Sequence, residues 1–292
     1  MRIAMTLPTM LPTSREQFVA WCRGIDEGPW SGLAVPERIT YPSAEVMTSL
    51  AAAAVLTERV RLTTTIVVLP SHDEVRAAKQ LATVDVLSGG RLTVGVGVGG
   101  RDHDYEAVGA STARRWQRLD DQVARMRSIW RGSVPFDGAD PVGPAPAQPG
   151  GPPLIAGVAG PKATARAARW ADGVDGPWAV TGDTGNLARA AERVRRAWTD
   201  AGRTDAPVIS TSLWYALGDG ADDRLRAYVH DYMRIFGEDV ARASAESARC
   251  TTADALRATV DEVVTAGLDE LWLVPTTADP TELDRTRTAL DL

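Results

Sequence analysis

The hydrophobic and polar positions of this chain keep switching between two rhythms. Short β-branched or apolar runs give way to stretches whose apolar residues recur every three or four positions, the signature of strands alternating with amphipathic helices. "RIAMTLP" (2–8) precedes a helical stretch near 14–26, and "SGLAVPE" (31–37) precedes a helix starting at Ser43, with Val46, Met47, Leu50 and Ala54 on one face. "VRLTTTIVVLP" (60–70) reads as one uninterrupted strand buried on both faces. In "SHDE", Ser71 and Glu74 fit a capping box, and the helix they open stops at "SGG" (88–90). A glycine-rich strand follows, then an irregular polar stretch, "RDHDYEAVGA" (101–110). Beyond it Trp116, Leu119, Val123, Met126 and Trp130 recur at helical spacing.

Segment 133–153 is too rich in Pro and Gly for a regular element and reads as a surface loop, after which the alternation resumes. Strands are expected at 153–160, 171–178, 207–218 and 269–277, and Pro161 suits a first helical turn. Helices carry Leu187, Ala191, Val194 and Trp198, then span roughly 221–237 and 252–266, and Asp279 with Glu282 opens the last one. Eight strand–helix units in 292 residues point to an α/β fold, a (β/α)8 TIM barrel formed as a single domain over 1–292. A doubly wound sheet is the main rival.

Composition narrows the function classes. The net charge is −6 and no Lys/Arg-rich block occurs, which argues against nucleic acid or an acidic membrane as a partner. Cys22 and Cys250 match no metal spacing and read as free buried thiols. The start "MRIAMTLP" reads as a strand rather than a signal peptide, and no apolar run is long enough to span a bilayer, so the expectation is a cytoplasmic protein without a metal site.

The candidate chemistry lies in "LTVGVGVGG" (92–100). Gly95, Gly97 and Gly100 satisfy the dinucleotide pattern G-x-G-x-x-G, with Asp120 twenty residues on, but these glycines fall inside a strand, and no helix begins on the third. On a barrel strand, Val94, Val96 and Val98 would face the helices, while the glycines would leave the interior and mouth uncrowded. Gly97, Val98 and Gly99 would then let a flat ring approach the backbone, unless the small residues merely fit the taper of the barrel. "AGVAGPKAT" (156–164) sets Gly157, Val158, Ala159 and Gly160 between a strand end and a helix start, a turn that suits an anion such as a cofactor phosphate or serves as an ordinary βα loop. His72 sits just past the third strand, at the catalytic rim of a barrel, and His103, Asp104, Trp178 and Trp214 also fall near strand ends. His103 and Asp104 are expected on a mobile loop within reach of substrate.

The stretch 78–100 with "YEAVG" (105–109) resembles the signature of the bacterial luciferase-like monooxygenase superfamily, and 50–70 and 152–174 are similar to further parts of it. The likeness runs through the first six units and weakens from about 180 onward. Within the superfamily the chain most resembles the group that uses the deazaflavin coenzyme F-420, with FMN as the alternative. The resemblance implies a cis peptide at Thr65-Ile66 behind the cofactor ring, a ring contact from Glu37, and a phosphate loop of Gly157–Gly160 with Thr164. It also implies hydride transfer between F-420 and a small organic substrate; Glu37, by this resemblance, and His72, by its place at the rim, are the catalytic candidates. A homodimer is implied as well, and a flavin or F-420 reductase is a possible partner. An FMN-dependent monooxygenase and a non-catalytic flavin-binding protein are the alternatives. Three positions depart from the family pattern: Arg38 stands where several relatives carry His, Gly100 where some carry a catalytic Glu, and Val98 where the luciferases hold a flavin-phosphate Arg.

Overall fold

The computed structural model describes residues 1–292 and forms a closed barrel of parallel strands wrapped by helices. In chain order the elements are β1 (Arg2–Thr6), α1 (Arg15–Glu27), β2 (Gly32–Val35), α2 (Val46–Leu56), β3 (Arg61–Thr64), β4 (Val67–Val68), α3 (Glu74–Leu87), β5 (Leu92–Gly97), α4 (Asp102–Ala107), α5 (Arg115–Trp130) and β6 (Leu154–Gly157). They continue as α6 (Pro161–Ala167), β7 (Gly173–Gly176), α7 (Leu187–Asp200), β8 (Val208–Tyr215), α8 (Ala221–Met233), α9 (Glu238–Ser247), α10 (Ala253–Thr265), β9 (Glu270–Pro275) and α11 (Glu282–Ala289). The nine segments make eight staves, because β3 and β4 are two halves of one. Neighbours pair in the order β3-β2-β1-β9-β8-β7-β6-β5, and β3 closes the ring onto β5.

The third stave corrects the expectation of an uninterrupted strand over 60–70. Leu62 pairs with Leu92 but Val67 with Val96, so this strand spends one residue more than its neighbour, a bulge at the cis peptide Thr65-Ile66. Helix α3 is capped by Asp73, whose carboxylate accepts the Arg76 N–H at 2.8 Å, while Ser71 lies in a 3-10 turn. The capping box of this barrel occurs at Ser14 and Gln17 of α1 instead. Three further corrections concern helices. Residues 102–107 form α4 rather than an irregular loop, 238–247 form α9, and Asp279 only braces the turn before α11 by accepting the Thr281 N–H. Each of these helices is short or begins in a polar stretch, so its apolar period spans too few turns to read.

The strand faces sort as a barrel requires. Val94 and Val96 are fully buried in the main core between staves and helices, with Leu33, Leu62, Leu154, Ile209 and Leu273. Inside the barrel, Trp272 is packed against the small Ala4 and Ala34. At the N-terminal end Glu270 is buried and paired with Arg61 and Arg2. A second apolar cluster, around Trp214, Leu225, Tyr228 and Val229, ties α8 to β8 at the C-terminal end. No helix is long and apolar enough to cross a membrane.

Candidate active site

The C-terminal ends of the staves gather the chemistry. Glu37 follows β2, is almost wholly buried, and spends both carboxylate oxygens: one accepts the Val68 N–H at 2.6 Å, the other meets His72 Nε2 at 2.8 Å. The bulged third stave makes this possible, since it places the Val68 amide and, one turn on, the His72 ring against β2. Burial pulls the His72 imidazole toward its neutral form. The hydrogen bond to Glu37 and the charges of Glu37 and Glu45 outweigh burial and hold it above its ordinary value. Its backbone is also fixed, because the His72 carbonyl accepts a hydrogen bond from Gln122 at 2.9 Å. His72 keeps 18% of its side chain exposed, an edge through which a proton can pass.

Ile66 changes the account of the glycine face. A Cβ on Gly97 would lie 2.2 Å from the Ile66 Cδ1, one on Gly157 would lie 2.8 Å from it, and one on Gly95 would lie 2.1 Å from the Thr64 carbonyl oxygen. The glycines therefore do not leave an empty interior, as the sequence suggests. They admit the Ile66 side chain, which stays partly exposed. Thr65 instead borders a polar cavity of about 250 Å³ at the other end of the barrel, lined also by Arg2, Arg61, Asp175, Ser210 and Glu270. Sites of barrel enzymes sit at the C-terminal ends of strands, so the mouth and not this cavity is the candidate active site.

The other expected contacts divide. Val98 turns its side chain into the main core, and its carbonyl accepts the Tyr105 hydroxyl at 2.6 Å. Gly99 has φ of +61° and faces the Val68 methyls. In the turn after β6, Val158 is buried and its N–H donates to the Asp175 carbonyl, Ala159 is exposed, and Gly160 borders open space. Thr164 is buried with its hydroxyl on the Gly160 carbonyl at 3.0 Å. His103 is exposed on α4, while Asp104 is buried and accepts from the Thr40 amide and hydroxyl at 2.8 and 2.6 Å, so neither lies on a loop. Trp178 packs over Gly176, Trp214 is buried against Tyr232, and Asp120 is engaged by Arg166 and Trp170. Cys22 and Cys250 are free and buried, and no three His, Cys, Asp or Glu side chains converge as a metal site would need.

Five buried polar atoms without a hydrogen-bond partner belong to residues at or just past the C-terminal ends of staves: Thr6 Oγ1, Thr9 Oγ1, Arg38 Nε, Arg101 Nε and Trp178 Nε1. Buried polar groups are ordinarily satisfied, so such a set at this end fits a polar, multi-functional ligand. The partly exposed Ile66 side chain and the open glycine turn beyond β6 fit a flat ring with an anionic tail. Sequence reasoning missed Arg101, Tyr228 and Tyr232, because Tyr228 and Tyr232 stand four apart on α8 and read only as a helix face.

The sequence model of the family described as luciferase-like monooxygenase matches residues 1–284. The chain belongs to the luciferase-like monooxygenase family. The family match continues well past residue 180, where the signature residues thin out. An uncharacterized protein of Mycobacterium tuberculosis is 32% identical over 168 residues, which are 55% of this chain and 58% of that protein. The match thus spans little more than half of that relative's length. Among solved structures, monooxygenase RslO1 from Streptomyces bottropensis superposes with a TM-score of 0.80 at 23% identity, covering 99% of this chain and 97% of the other. An F420-dependent secondary alcohol dehydrogenase in complex with an F420-acetone adduct superposes with a TM-score of 0.78 at 19% identity, covering 99% of each. At these identities the two likenesses establish the luciferase-like TIM barrel.

Proposed function

We propose that this luciferase-like protein is an oxidoreductase that passes a hydride between coenzyme F-420 and a small organic substrate. The observation that carries the reading is the Glu37–His72 pair at the mouth, a buried carboxylate that raises the proton affinity of an imidazole. The deazaflavin, when bound, supplies or accepts the hydride. The chain's part is to position and to manage a proton. Ile66 offers an apolar side chain for a ring to lie against, and the turn Gly157–Gly160 a place for the phosphate. Nε2 of His72 is committed to Glu37, which leaves Nδ1 to give a proton to a carbonyl oxygen or to take one from an alcohol.

The second reading, an FMN-dependent monooxygenase served by a reductase, is favoured by the family's description and by the likeness to RslO1. Against it stands Val98, an apolar side chain turned into the core at the position of the luciferases' flavin-phosphate Arg. Parallel fluorescence titrations of the purified chain with F-420 and FMN test the choice. Tight binding of F-420 alone is the expected result. Binding of FMN alone transfers the reading to the monooxygenase, and binding of neither overturns both. Turnover with any electron acceptor rejects a non-catalytic flavin carrier.

A further inference from the structure

Two arginines at the mouth each keep a buried guanidinium nitrogen without a hydrogen-bond partner. Arg38 directly follows Glu37 beyond the end of β2, and Arg101 follows Gly100 beyond the end of β5, so both stand at the C-terminal end of the barrel. Arg101 is only 8% exposed; its guanidinium donates to the Thr40 carbonyl at 3.3 Å, and its Nε lies 3.9 Å from Asp104. Arg38 donates to the Glu37 carbonyl at 2.7 Å and to the Tyr232 hydroxyl. The Nε of both is buried without a partner. The carboxylates at hand, Asp104 beside Arg101 among them, also bind other groups. Glu37 holds His72 and the Val68 amide, Asp104 holds Thr40, and Asp231 holds the Tyr41 hydroxyl at 2.7 Å and Arg234 at 2.8 Å. Burial lowers the proton affinity of the Arg38 guanidinium and the neighbouring charge of Arg101 lowers it further, while Asp104 and Glu37 oppose the fall.

A buried guanidinium N–H without an acceptor is costly, and an arriving anion supplies acceptors for it. The walls around the two guanidinium groups are aromatic. Arg38 lies 4.8 Å from the Tyr232 ring centroid and Arg101 lies 5.4 Å from that of Tyr41. Trp214 meets Tyr232 edge-on at 5.2 Å, and Tyr228 stacks on Tyr232 at 6.2 Å. Arginine held flat on a ring presents fixed N–H edges, which match the two oxygens of a carboxylate.

We propose that Arg38 and Arg101 form an anion-recognition subsite, and that the substrate is a flat, largely apolar molecule bearing a carboxylate. This inference rests on the reading of the mouth as the catalytic end. The carboxylate meets the guanidinium groups, its apolar body lies against the tyrosine and tryptophan edges, and its reacting carbon comes within reach of His72. The rival account is that the arginines only fasten α8 over the mouth, through Tyr232 and the segment 38–41.

Calorimetric titration of the purified chain with benzoate and 2-naphthoate, each against its neutral amide, separates the two accounts. The acids are expected to bind about tenfold or more tightly than the amides, the ratio that a charge-assisted hydrogen bond supplies. Arg38→Gln and Arg101→Gln are each expected to abolish that preference while leaving the amide affinity unchanged, which also shows that the variants fold. Arg38→Lys restores part of it. Equal binding of acid and amide, binding of neither, or a preference that survives in both Gln variants overturns the proposal, and the wild-type comparison needs no variant.

Titration of the same variants with F-420 and FMN distinguishes the sources of the anion. Unchanged cofactor affinity supports a substrate subsite. A loss of about tenfold in cofactor affinity, with no acid preference in the wild type, assigns the arginines to the cofactor's anionic tail and overturns the proposal. If no cofactor binds the wild type while the acids outbind the amides, the redox reading fails and the subsite stands.

Discussion

Glu37 joins two staves with one side chain, since its oxygens hold the Val68 amide and the His72 ring together. The imidazole's folded value lies above its ordinary 6.5, so protonation favours the folded state. The stabilisation is complete below about 6.5, the unfolded value, and fades as pH rises through the raised value. Glu37→Gln keeps an acceptor for the Val68 amide but removes the negative charge. The variant is expected to lose about 1–3 kcal/mol, with a larger deficit in thermal melts at pH 6 than at pH 9. Proton NMR of the His72 ring is expected to show a lower titration midpoint in the variant. An unmoved midpoint would mean that Glu37 does not set the charge of His72. Of this pair the sequence offered each residue separately. Nothing in their spacing brings residues 37 and 72 together, because the bulge that sets the register lies between them.

The third and fourth staves work as one packing unit. Gly95 and Gly97 stand where Thr64 and Ile66 leave no room for a side chain. Gly97→Ala must displace the Ile66 side chain, and overpacking of this kind costs about 1–3 kcal/mol. Ile66→Val removes the colliding Cδ1, so the double variant is expected to recover much of the loss in denaturant unfolding. Additive losses would falsify this coupling. Gly95→Ala meets the Thr64 carbonyl oxygen, which no side-chain rearrangement clears, so no Ile66 variant should rescue it. The alternation of Val and Gly was legible in the sequence as an inward and an outward face. That Ile66 occupies the inward face was not, because the period of a strand does not say which neighbour fills a gap.

Across the whole barrel the two ends differ. The catalytic candidates gather at the mouth, whereas Asp175 faces the polar cavity of the N-terminal half. Burial pushes its carboxyl up to about 6; the Ser210 hydroxyl, at 2.7 Å, opposes the rise and the charge of Glu270 adds to it. The raised folded value means that the native state holds the proton more tightly than the unfolded chain. Stability contributed by this residue therefore falls as pH rises from its ordinary 3.8 toward about 6, and above that the ionised form carries a constant cost. Asp175→Asn is expected to raise Tm at pH 7.5 and to give no gain at pH 4, measured by scanning calorimetry. A lower Tm at pH 7.5 would show that the charge is needed where it stands.

The sequence by itself determined the succession of strand and helix, the outward valines, the glycines of the fourth stave and the resemblance to one family. These follow from local period and from residue types that tolerate few environments. Tertiary structure alone decided the bulge register, the insertion of Ile66 among three glycines, and the meeting of Glu37 with His72. It also brought Arg38 and Arg101 onto the tyrosines of segments 41 and 228–232. Each of these depends on which distant segments closure of the barrel sets side by side, and a local pattern carries no record of that distance.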